Sequence, residues 1–108
     1  MSQQPVASVT SSFAAINGND NNSSLDFQFL ELPASGNLTV NIENNPNAGS
    51  ITFTLWQDET GKDGAVQTGL KNGSTIPISG TLKQGDSYYI GNPSNAGSQN
   101  FVVTFIAG

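Results

Sequence analysis

Residues Ser50 to Gln57 read Ser-Ile-Thr-Phe-Thr-Leu-Trp-Gln, and this stretch decides the fold class. In an extended strand successive side chains point to opposite faces. Ile51, Phe53 and Leu55 therefore share one face, and three apolar residues at period two make a core face. Thr52, Thr54 and Trp56 share the other. The only Trp of the chain thus stands where a sheet normally meets water.

The same alternation repeats on both sides. Upstream, Leu38, Val40 and Ile42 alternate with Thr39, Asn41 and Glu43, and Leu25, Phe27 and Phe29 with Asp26, Gln28 and Leu30. Pro33 to Asn37 is a short Gly-containing turn between them, so the two runs predict a hairpin. Earlier still, Ala7, Val9, Phe13 and Ala15 share a face, and Asn17 to Asn22 is a loop of turn-forming residues. Downstream, Asp58 to Gly64 (DETGKDG) is the most charged stretch and predicts an exposed hairpin loop. Val66, Thr68 and Leu70 then form a short strand. Ile76 and Ile78 flank Pro77, which cannot donate to a ladder, so that strand belongs at an edge. Tyr88 and Ile90 point to the core and Tyr89 away from it. Gly91 to Asn100 reads as a loop, and Phe101, Val103 and Phe105 oppose Val102, Thr104 and Ile106 in a last strand. No segment of ten or more residues carries a helical period. Seven or eight short strands with regular turn signals predict an all-β, antiparallel β-sandwich spanning residues 1–108 as one domain, with residues 1–4 loose.

Composition narrows the function. Three Lys, no Arg and eight acidic residues give a net charge of −5. Nucleic-acid binding needs cationic side chains to neutralise phosphates, and an anionic membrane surface repels such a chain. No run approaches the roughly 18 apolar residues of a membrane helix, so no membrane insertion is expected. The absence of Cys removes disulfides and thiolate chemistry together. The N-terminal stretch lacks the charged and apolar regions of a secretory signal. Either the protein starts in the cytoplasm or it is an excised domain, in which case an extracellular or surface role is expected.

With no His, Cys or Arg, serine and cysteine catalytic triads, imidazole metal sites and arginine clamps are impossible. A carboxylate pair acting on a glycosidic bond is the one enzymatic route left. Asp58 and Glu59 are adjacent and point to opposite faces if extended. Asp58 and Asp63 approach across the loop, but nothing in the sequence raises a pKa there. The acids read as solvated loop charges, and no catalytic residue is assigned. Calcium oxygens could come from Asn17 to Asn22 or from Asp58, Glu59 and Asp63, but neither set has the spacing of a calcium loop. The aromatic residues are the better lead. An outward Trp56 or Tyr89 offers a flat apolar face with a polar tip, suited to stacking on a sugar ring or gripping a polymer. The plainer reading is that each ring fills a shallow niche under a loop or a neighbouring domain.

Taken in order, Leu-Asp-Phe-Gln-Phe (25–29), Leu-Pro-Ala-Ser-Gly-Asn-Leu-Thr-Val-Asn-Ile (32–42), Ile-Thr-Phe-Thr-Leu-Trp (51–56), Gly-Thr-Leu-Lys-Gln-Gly-Asp-Ser-Tyr-Tyr-Ile (80–90) and Phe-Val-Val-Thr-Phe (101–105) resemble the bacterial pre-peptidase C-terminal domains, including the collagen-binding modules of clostridial collagenases. The resemblance implies a non-catalytic, jelly-roll-like module that binds a polymer or assists a neighbouring domain. Calcium-binding members of that family carry acids near the N-terminal linker and just before the aromatic strand. Here Leu25 takes the acidic position, with Asp26 next to it, and only Asn19 and Asp20 answer the upstream cluster. No metal or other cofactor is therefore expected. Were calcium bound, Asn19, Asp20 and Asp26, or Asp58, Glu59 and Asp63, would be the ligands.

These readings converge on a binding or accessory module for an extracellular or surface polymer, carbohydrate or collagen-like, with Trp56 and Tyr89 as its ligand-binding residues. The alternatives are a homo-oligomeric structural protein, such as a decoration or shell subunit, and a small cytosolic lectin.

Overall fold

Eight antiparallel strands form in the computed structural model, which describes residues 4–11, 24–97 and 99–107. They are β1 (Gln4–Thr10), β2 (Phe27–Gln28), β3 (Asn37–Glu43), β4 (Thr52–Gln57), β5 (Gly64–Leu70), β6 (Thr75–Pro77), β7 (Ser87–Ser94) and β8 (Val102–Ala107). Two four-stranded sheets result, one in the order β1-β8-β3-β6 and the other β2-β7-β4-β5. The pairing is nested: β1 with β8, β2 with β7, β3 with β6, and β4 with β5. The chain thus behaves as one long ribbon closed at the β4–β5 hairpin and rolled up. The rolled ribbon is joined by β3–β8 and β4–β7 pairing. This is the jelly-roll arrangement of a two-sheet sandwich.

The Ile51/Phe53/Leu55 face drives the closure. These side chains are 0, 1 and 0 % exposed and meet Leu38, Val40 and Ile42 of β3 and Val103 and Phe105 of β8 in one core. Phe27, Phe29, Tyr88 and Phe105 make an aromatic cluster within it, with Phe29 edge-on to Phe27 and Phe105 at centroid distances of 5.4 Å. Backbone groups at the seams are satisfied by serine hydroxyls. Ser11 Oγ accepts from the Phe101 amide at 2.9 Å, and Ser24 Oγ from the Ile90 amide at 3.0 Å. Among the described residues no buried side-chain polar atom lacks a partner.

Four sequence expectations change. The turn at Pro33 to Asn37 does not close a hairpin: β2 and β3 lie in different sheets, and the chain crosses the sandwich between them. Each strand pairs with a strand from the C-terminal part of the chain, β2 with β7 and β3 with β8, and a tight β2–β3 hairpin would forgo one of these pairings. Leu25 falls outside β2 and is 87 % exposed, so only Phe27 and Phe29 of its run face inward. The Val66-to-Leu70 strand forms, with Leu70 in the core and Val66 packed against it, but its strict alternation breaks, because β5 gains an extra residue against β4 at two places. Gly69 supplies the positive φ, +64°, that one of these irregularities needs. As a result Gln67, opposite Leu55, reaches between the sheets and donates to the Thr75 carbonyl at 3.1 Å. Finally, β7 runs on to Ser94 through what reads as a loop. Phe13 and Ala15, and the Asn17 to Asn22 loop, lie outside the described residues.

Candidate binding face

Strands β7, β4 and β5 are adjacent, and the register sets Tyr89 beside Trp56 and Trp56 beside Ala65. Inward Ile90 and Leu55 form the next pair, so the two rings necessarily share the outer face. Their centroids are 6.1 Å apart and their planes 5° apart, an offset parallel pair. One residue further along the face, Thr54 sits opposite Gly91. Beyond it, β7 has three residues where β4 has two. Asn92 lies in this irregularity at φ +50°, a conformation that Asn tolerates better than most residues. The Trp56 Nε1–H donates to Asn92 Oδ1 at 3.0 Å. The row ends in a hydroxyl pair, Thr52 Oγ1 and Ser94 Oγ, at 2.6 Å.

The two predicted aromatics are thus brought together, but unequally. Trp56 is half-buried and offers part of its ring to solvent. Tyr89 is on the outer face yet only 3 % exposed, which corrects the expectation of a solvent-facing ring. It is covered from the outside by Trp56 and by the β4–β5 loop, whose Asp63 Oδ2 accepts the phenol proton at 2.6 Å. Tyr89 therefore fixes the platform, and Trp56 is the platform. No charged residue lies in any strand of this sheet.

Carboxylates gather at one end of the face. The Asp58 amide donates to the Ser87 carbonyl at 2.9 Å, and the Ser87 hydroxyl donates to Asp26 Oδ2 at 3.2 Å. Asp63 Oδ1 accepts from the Glu59 amide at 3.4 Å. The neighbouring carboxylates push the Asp58 pKa up to about 6, Asp26 first and Asp63 second. The expectation that nothing raises a pKa in this loop is thereby overturned. What the sequence lacks is the β2–β7 pairing, which carries Asp26 to the loop. Asp63 moves the other way, held below the ordinary carboxylate range chiefly by the Tyr89 hydroxyl.

Of the named calcium ligands, Asn19 and Asp20 lie outside the described residues. Among the described residues no group of three or more His, Cys, Asp or Glu has an arrangement that could hold a metal ion. A concavity of about 500 Å³ lies elsewhere. It is lined by Pro5, Val6, Leu30, Leu32 and Gln84 among others, with Glu31 its one ionisable group. It includes no residue of the outer aromatic face, and a single carboxylate gives it little chemistry. Two contributors to the face escape a reading of the sequence, Asn92 and Gly91. The Gly-Asn-Pro triplet signals a backbone irregularity but not that it sits inside a strand.

No protein family, curated protein or solved structure matches the chain.

Proposed function

We propose that this domain is a non-catalytic binding or accessory module that holds an extracellular or surface polymer, carbohydrate or collagen-like, against the outer face of the β2-β7-β4-β5 sheet. The observation that carries this reading is the pinned indole. Trp56 is only partly buried, held by Asn92 and parallel to a buried Tyr89, so its ring is oriented before any ligand arrives. Preorganised aromatic surface costs little conformational entropy on binding. Around it stand hydroxyls and amides of Thr52, Thr68, Ser94 and Asn92 and no strand charge, a surface matched to a neutral, hydroxyl-rich chain.

Two observations weigh against the other classes. A glycosidase pair flanks the scissile bond from both sides, whereas Asp26, Asp58 and Asp63 are all solvent-exposed at one end of the face. Edge-to-edge assembly needs an open strand. β1 carries Pro5 and a register shift, β2 has two residues, β6 ends in Pro77 and β5 is bulged twice. Each is a device that blunts an edge. The resemblance to pre-peptidase C-terminal domains supports the same accessory role.

The test pairs a pull-down on insoluble polysaccharides and collagen with thermal unfolding of Trp56→Ala. Binding should be lost and should be only weakly salt-dependent in the wild type, while unfolding stays cooperative at a cost of about 1–2 kcal/mol. Undiminished binding, or loss of the fold in step with binding, would show that the indole is packing and not platform.

A further inference from the structure

Tyr89 and Ala65 flank the indole on opposite sides and differ in what they leave open. On β7 the Tyr89 ring lies parallel to Trp56, so one face of the indole is taken. On β5 the partner is Ala65, a single exposed methyl group. The edge of the indole is used as well, since Nε1–H donates to Asn92 Oδ1 at 3.0 Å. What remains for a ligand is the second ring face, on the Ala65 side.

An open strip continues from that face along β4. The irregular β4–β5 pairing sets Thr68 and Gly69 between Gln67 and Leu70, across from Thr54. Both are exposed, and a Cβ at Gly69 would meet nothing within 4 Å. Thr52 lies about 13 Å from Trp56 along the strand, at about 3.3 Å per residue. Its hydroxyl shares a hydrogen bond with that of Ser94 at 2.6 Å in an exposed pair. Only one of the two hydroxyl protons lies between the oxygens, so the pair still offers a donor and lone pairs to a ligand.

We propose that this strip takes a neutral glycan chain of equatorially linked hexopyranose units, one ring on the free indole face over Ala65 and the following units along β4 to the Thr52 and Ser94 hydroxyls. This rests on the binding role proposed above and narrows it from polymers in general to one chemical class.

The chemistry of the strip selects that class. A pyranose with equatorial substituents presents a flat face of C–H bonds, which packs on an aromatic face without a hydrogen bond from the ring edge. Proline-rich and collagen-like chains bring solvated backbone carbonyls and dock in aromatic-lined grooves. Here the indole N–H is already given to Asn92, and the aromatic neighbour is only 3 % exposed. Charge then decides between glycans. No strand of the sheet carries a charged residue, and in the adjoining loop Lys62 is the single cation against Asp58, Glu59 and Asp63. With a net charge of −5 on the chain, an acidic glycan would be repelled.

Trp56 is the only Trp, so its emission reports binding directly. The probes are soluble β-1,4-glucan oligosaccharides of increasing length, hydroxyethyl cellulose, carboxymethyl cellulose and a triple-helical collagen peptide. Emission should change with the neutral glucans, more tightly as the oligosaccharide lengthens, and not with the carboxymethylated chain or the collagen peptide. Ala65→Ile fills the space beside the indole with a residue that strands accept, and should weaken glucan binding at least tenfold at an unchanged melting temperature. Thr52→Val keeps the shape without the hydroxyl, and should weaken the longer oligosaccharides several-fold while leaving the shortest unaffected. No response to any glucan, or full binding by Ala65→Ile, would overturn the glycan strip. Should Ala65→Ile not fold, the length dependence of Thr52→Val decides alone. Collagen peptide bound by the wild type and lost in Trp56→Ala, with no response to glucans, would overturn this inference and leave the binding face standing. A polymer held equally well by Trp56→Ala would remove both.

Discussion

Tyr88 and Tyr89 are neighbours in sequence, both nearly inaccessible to water, and they belong to different parts of the molecule. Tyr88 points between the sheets, packs on Phe27 and Phe29, and accepts a hydrogen bond from the Lys83 amide at 2.9 Å. Burial pushes its phenol pKa up. Tyr89 points the other way, lies parallel to a half-buried indole and gives its phenol proton to a loop carboxylate. The first is held by apolar surface from two sheets. The second lies outside that core cluster and gives a charge-assisted hydrogen bond to Asp63. Low solvent exposure therefore does not identify a core residue. What surrounds the ring, and from how many elements, does.

The contrast can be tested from its largest consequence downward. Tyr88→Ala should cost about 3–5 kcal/mol, since it empties a position filled from both sheets. Denaturant unfolding should show the loss as a lower midpoint with an unchanged slope. A midpoint close to wild type would place Tyr88 outside the core and exchange the roles of the two rings.

Tyr89→Phe sharpens the other side of the comparison. It keeps the ring and removes the proton given to Asp63, so the fold should survive with a loss of about 1 kcal/mol. Asp63, whose pKa is lowered chiefly by that hydroxyl, should titrate at higher pH in the variant. Carboxyl chemical shifts followed through an acid titration read this directly. An unmoved Asp63 would mean that the loop is not held by Tyr89.

Calcium should have the smallest effect. A site filled at 100 times its dissociation constant would add about 2.7 kcal/mol, and no rise in melting temperature is expected at millimolar calcium. A clear rise reversed by a chelator would mean that the acids beside Tyr89 form a metal site.

Much of the architecture was legible in residue spacing. Period-two runs at Ile51 to Leu55, Leu38 to Ile42 and Phe101 to Phe105 are buried on the faces they predict. Pro77 marks an edge strand, as a residue without an N–H must. Alternation also placed Trp56 and Tyr89 on the outer side. It broke where a strand takes an extra residue, as in β5, because one inserted residue reverses the side chains beyond it. It failed again at Leu25, where the run of apolar positions outlasts the strand.

The sequence by itself determined which residues are inward and which chemistry is absent, because strand periodicity and residue type are local properties. Only the tertiary structure decided that Pro33 to Asn37 crosses between sheets instead of closing a hairpin. It also decided that Tyr89 is covered, and that Asp26 joins Asp58 and Asp63. All three depend on which strands pair. Pairing between residues as far apart as Phe27 and Tyr88 is set by burying every apolar face at once, which no single stretch of the chain encodes.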